Sequence, residues 1–130
     1  MIDPLTCMIA AIFFESRSEP VTGQYAVAEV IMNRVESEYY PDDVCSVVFQ
    51  RKQFSFTHDG LSDNVKKYNT YYDVQAANLA TDIAIDVLTG FRYTQTIATH
   101  YHTTEVNPYW ADLFEQTETI GTHIFYAEVR

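Results

Sequence analysis

Apolar residues recur at helical spacing through the first third of the chain. Leu5, Met8, Ile9 and Ile12 form one stripe, with Pro4 in the first turn, which predicts a helix from near Asp3 to near Ser16. A second stripe of Val27, Val30, Ile31, Arg34 and Val35 predicts a helix from about Thr22 to Ser37. Pro41 and its acidic neighbours make a turn, and Asp42 or Asp43 can cap a short helix through Val48. Arg51 to Lys67 is polar and irregular, with a turn at Asp59-Gly60. Ala76, Ala80, Ile83 and Val87 predict a third long helix over Thr70 to Thr89, with Gly90 suited to the left-handed position beyond its end.

The last third reads differently. Thr96 to Thr103 and His123 to Val129 are rich in β-branched and aromatic residues, which predicts two short paired strands. Asn107-Pro108 and Trp110 fall on the connection between them. The expected fold class is α+β, mostly helical, with a small β-hairpin near the C-terminus, in a single domain over residues 1–130.

Composition narrows the function more than the fold. The chain carries 18 acidic against 8 basic residues, a net charge of −10, which argues against nucleic acid as a partner. Hydrophobic content of 47% marks a chain able to build a core. The apolar run from Met8 to Phe14 is too short to span a membrane. Cys7 and Cys45 are either two small buried hydrophobes or a disulfide, and the second requires an oxidising compartment.

One acid stands out. Glu15 continues the stripe of the first helix, three residues after Ile12 and four after Ala11, into the last turn. Partial burial and the negative end of the helix dipole both disfavour a carboxylate anion. A carboxylic acid kept protonated near neutral pH can protonate the leaving oxygen of a glycoside.

Further segments follow in order. They are Gly23-Gln24-Tyr25-Ala26-Val27-Ala28-Glu29-Val30-Ile31-Met32-Asn33-Arg34-Val35, then Val44 to Gln50, then Gln53-Phe54-Ser55-Phe56. Ala98-Thr99-His100-Tyr101-His102, Trp110 and Ile120 to Tyr126 complete the set. In this order and spacing the chain resembles the SleB/CwlJ-type cell-wall hydrolase family, known from spore-cortex-lytic enzymes and phage lysins. The resemblance runs from about Leu5 to Tyr126. It implies a lysozyme-like, lytic-transglycosylase-like fold acting on peptidoglycan glycan strands, with Glu15 as the catalytic acid.

The resemblance also implies that Gln53, Phe54 and Ser55 line the cleft, and it makes Tyr101 and His102 substrate-contact candidates. Glu19, four residues beyond Glu15, is a further candidate for the substrate cleft and the nearest possible second carboxylate. Family members often carry Trp where this chain has Phe56, and Ala and Gly where it has Ser16 and Ser18. The first departure bears on a stacking contact. The second matters if position 18 needs positive φ, which Gly tolerates and Ser does not. Gln24 and Asn33 lie on the polar side of the second helix, where simple solvation is expected for Gln24.

A conventional glycosidase pairs its acid with a second carboxylate about 5–5.5 Å away when retaining and roughly 6.5–9.5 Å away when inverting. A lytic transglycosylase needs only one, because the muramic acid's own 6-hydroxyl attacks C1. The resemblance favours this route, and the lack of an obvious acid pair is compatible with it; the activity it implies is cleavage of the β-1,4 bond between N-acetylmuramic acid and N-acetylglucosamine, leaving 1,6-anhydro ends. The rivals are a hydrolytic muramidase, an amidase, and a non-catalytic glycan-binding module on the same fold. His100 and His102 share a strand face as metal ligands would, but neither they nor His123 make an argued zinc site, so no metal or cofactor is expected. No basic N-terminal region or cleavage pattern is visible. The expectation is synthesis in the cytoplasm and action on the wall after release, as in phage lysis, unless the natural chain is longer.

Overall fold

The computed structural model describes residues 3–50 and 65–128. Helix α1 covers Pro4–Ser16, with the Asp3 side chain accepting the Thr6 N–H at 2.7 Å and Pro4 in the first turn. Met8, Ala11, Ile12 and Phe13 are fully buried along it. Helix α2, Val21–Val35, begins directly after Pro20, and its Ala26 to Ala28, Val30 and Ile31 are also fully buried. Helix α3, Val44–Val48, is capped by Asp43, which accepts the Ser46 N–H at 2.8 Å. Helix α4, Tyr71–Leu88, is capped by Thr70. Beyond its end Gly90 has a φ of 108°, which lets the Phe91 N–H return to the Asp86 carbonyl at 3.0 Å. The four helices pack with α1 against the other three, and Cys7 of α1 is disulfide-bonded to Cys45 of α3.

The sheet is richer than two strands. Strands β1 (His100–Thr103), β2 (Glu115–Ile120) and β3 (His123–Ala127) are antiparallel in the order β1-β3-β2. The two expected strands do pair, with Tyr101 opposite Phe125, but the hairpin is β2–β3. The first strand is also shorter than expected. Residues 96–99 are instead held against α2, where Asn33 Nδ2 donates to the carbonyls of Thr96 and Ala98 at 2.9 and 2.8 Å, and Arg34 Nε donates to that of Thr99 at 2.7 Å.

Alternation along the strands gives the sheet two faces. Tyr101 and Phe125 face α2, where Phe125 packs with Ala26, Val30 and Ala98. His100, His102 and Tyr126 face away, under the short 3-10 helix Tyr109–Asp112, and contact Trp110 at ring separations of 5.0–5.6 Å. No helix among the described residues is long and apolar enough to cross a membrane.

Candidate active site

Glu15 lies in the last turn of α1, half-buried. Its Oε1 accepts a hydrogen bond from the Tyr101 hydroxyl at 2.8 Å. Strand alternation aims Tyr101 inward, and its ring is fixed by His123 at 4.8 Å and Phe125 at 5.5 Å. Burial first, and then the charge of Glu15, push the Tyr101 phenol well above its ordinary range. The phenol therefore stays protonated at working pH and serves as a permanent donor to the carboxyl group.

Glu19 lies beyond the helix end. Its Oε1 accepts the Thr122 N–H at 2.8 Å and its Oε2 accepts the Thr122 hydroxyl at 2.7 Å. Its side chain is only 8% exposed, and Oε1 lies 3.9 Å from His123 Nδ1. Burial holds the His123 imidazole below its ordinary pKa, so this contact is carboxylate to neutral ring near pH 7.

Tyr101 and His102, adjacent in sequence, are separated by the sheet. His102 Nδ1 lies 2.7 Å from the Thr103 carbonyl, which can only accept, so Nδ1 carries the proton and Nε2 accepts from the Tyr126 hydroxyl at 2.9 Å. His102 therefore belongs to the outer aromatic cluster, away from the Glu15 side chain. His123 faces inward while His100 and His102 face outward, and no group of three or more metal-ligating side chains occurs among the described residues. Gln53, Phe54, Ser55 and Phe56 lie outside the described residues. Gln95 is the one non-glycine residue of positive φ among them, so Ser18 does not adopt the conformation that would have called for Gly.

Several polar residues prove more structural than their sequence setting suggests. Gln24 is buried, not solvated, and donates to the Glu19 carbonyl at 3.1 Å. Glu29 is fully buried and accepts the N–H groups of Tyr93 and Thr94 and the Thr94 hydroxyl at 2.9, 3.1 and 2.7 Å. Its signal in the sequence is its position between Ala26-Val27-Ala28 and Val30-Ile31, a run with no room for a wet face. Together with Asn33 and Arg34 it fastens the segment leading into β1, and so sets where Tyr101 arrives.

The fold, a helical domain closed by a small antiparallel sheet, is shared with two solved catalytic domains. One is that of the germination-specific lytic transglycosylase SleB from Bacillus anthracis, with a TM-score of 0.75 and 31% identity over 95% of this chain and 93% of that one. The other is that of the Bacillus cereus SleB protein, with a TM-score of 0.74 and 31% identity over 95% of this chain and 88% of that one. The sequence pattern of the Cell Wall Hydrolase family matches residues 18–126, and the chain belongs to that family. The spore cortex-lytic enzyme of Oceanobacillus iheyensis is 31% identical over 121 residues, which are 91% of this chain and 39% of that protein. That of Bacillus cereus is 32% identical over 118 residues, 91% of this chain and 42% of that protein. The chain thus spans about two fifths of these curated relatives. Glu15 stands three residues ahead of the stretch the family pattern matches, so its role is argued from geometry.

Proposed function

We propose that this domain cleaves peptidoglycan glycan strands at the β-1,4 bond between N-acetylmuramic acid and N-acetylglucosamine, as a lytic transglycosylase with Glu15 as its acid and base. The observation that carries this reading is the half-buried Glu15 carboxyl held at one oxygen by Tyr101. Membership of the cell wall hydrolase family and the likeness to a domain described as a lytic transglycosylase support the substrate and the reaction class.

The reaction balances with one carboxyl group. Glu15 gives its proton to the glycosidic oxygen, the C1–O bond breaks, and the N-acetylglucosamine hydroxyl leaves. The muramic 6-hydroxyl, already tethered beside C1, attacks and passes its proton to the Glu15 carboxylate. The product is a 1,6-anhydro end, and Glu15 is again protonated. Tyr101 keeps the carboxyl oriented through both transfers. With a net charge of −10 the domain has no long-range attraction to an anionic wall, so recognition rests on contacts within the cleft. The Cys7–Cys45 bond supports action outside the reducing cytoplasm.

Mass spectrometry of digested peptidoglycan in heavy-oxygen water tests this reading. Wild-type protein should release unlabelled 1,6-anhydro-muramic ends, one water lighter than hydrolysis products. Glu15→Gln, which keeps the shape and removes the proton donor, should lower the rate by roughly 10²–10⁴-fold while the fold persists. Label on the new muramic ends would mean hydrolysis, free stem peptides would mean an amidase, and wild-type cleavage by folded Glu15→Gln would remove Glu15 from the chemistry.

A further inference from the structure

Both Glu19 oxygens are engaged by one residue, Thr122, in the β2–β3 turn. Gly121 in that turn has a φ of +58°, and a Cβ there would overlap Glu19 Oε1 and come within 2.8 Å of Pro20 Cδ. The chain leaving α1 is thus pressed against the turn backbone, with room only for glycine. The residue after Thr122 is His123, buried, whose Nδ1 has no hydrogen-bond partner among the described residues and whose ring lies against that of Tyr101. Tyr101 in turn donates to Glu15. Starting at Glu19, the contacts run through Thr122, His123 and Tyr101 and return to Glu15, four residues away in the same helix exit. This is a closed ring, and each member fixes the next.

We propose that Glu19 is a positioning residue, not a second acid. It locks the β2–β3 turn onto the exit of α1, so that His123 supports the Tyr101 ring and Tyr101 holds the Glu15 carboxyl at the reacting bond. The proposal rests on the reading of Glu15 given above. Its chemistry suits a lock: a buried carboxylate taking a backbone N–H and a hydroxyl makes two charge-assisted hydrogen bonds.

The two roles respond oppositely to amide replacement. In Glu19→Gln the amide oxygen still accepts the Thr122 N–H, and its NH2 donates to a Thr122 hydroxyl turned to accept, so kcat should stay within about threefold of wild type. Glu19→Ala removes both hydrogen bonds, and the displacement passed to Glu15 should lower kcat by roughly 10–100-fold; Thr122→Val removes the hydroxyl bond and keeps the backbone N–H, and should lower kcat by about 5–10-fold, each with little change in KM. Thr122→Val leaves every carboxylate in place, so its loss isolates the contact from the charge. Steady-state rates on purified glycan strands, with circular dichroism to confirm folding, read all three beside Glu15→Gln. Folded Glu19→Gln as inactive as Glu15→Gln would make Glu19 part of the chemistry and overturn the lock. Thr122→Val at the wild-type rate would overturn it equally, and decides the matter even if Glu19→Ala fails to fold. Full activity in Glu15→Gln would instead defeat the reading of the site.

Discussion

The Tyr101 hydroxyl donates to Glu15 Oε1 at 2.8 Å, joining two residues 86 positions apart. One comes from the first helix and the other from an edge strand, so the acid is set by tertiary contact and not by its helix alone. Burial and the nearby carboxylate keep the phenol protonated. Tyr101→Phe should preserve the ring contacts with His123 and Phe125 while removing the donor. The expected result is a folded protein with kcat reduced roughly 10–100-fold, comparable to other losses of orientation in an active site. Wild-type kcat in that variant would show that the bond does not matter for turnover.

His123 should make the fold sensitive to mild acid. Burial lowers its pKa, His102 adds to the lowering, and Glu19 partly opposes it; Tyr101 packs on the ring as a neutral phenol. The folded state thus resists a proton that the unfolded chain accepts below about pH 6.5. Stability is complete above that value and falls as pH drops toward the folded-state pKa. Melting temperatures measured from pH 7.5 to 5 should decline more steeply for wild type than for His123→Leu. Parallel slopes would mean that other groups carry the acid response.

The Cys7–Cys45 bond ties α1 to α3 across a separation of 38 residues. Closing a loop of that length in the unfolded chain stabilises the fold by about 3–4 kcal/mol. The double variant Cys7→Ala/Cys45→Ala, or reduction, should therefore lower the melting temperature by on the order of 10 °C. Scanning calorimetry with and without reductant checks this, and an unchanged transition would show that packing alone holds the two helices.

Dialysis against a strong chelator should leave cleavage and melting temperature unchanged. His100 and His102 are taken up by the outer aromatic cluster, and His123 faces the other way. Loss of activity restored by zinc would favour amidase chemistry, and restoration by calcium would indicate a structural ion.

The helices were legible because their signals are local. Asp3 with Pro4, Asp43, Thr70 and Gly90 all occupy the capping positions their chemistry favours. Strand β2 was not, because Glu115-Gln116-Thr117-Glu118-Thr119-Ile120 is a polar edge with no fully buried residue and an irregular register between Gln116 and Thr119. Glu15 could be singled out from its place on the stripe. Its partner could not be derived from the residues alone, since nothing in either local sequence states that β1 lies across the end of α1. The same holds for Glu19, whose two hydrogen bonds cross 103 positions, and for the Cys7–Cys45 pair.

The strand order β1-β3-β2 also bears on when a newly made chain becomes competent. The middle strand, His123–Ala127, is the latest of the three in sequence, and β1 pairs with no other. While the chain is being translated, α1 with Glu15 emerges early, and Tyr101 emerges with no neighbour to align it. Only when β3 leaves the ribosome can the sheet zip and bring the phenol to the carboxyl. A nascent or prematurely terminated product lacking β3 would contain Glu15 and Tyr101 without the strand that brings them together, and on the reading proposed above it would not cleave.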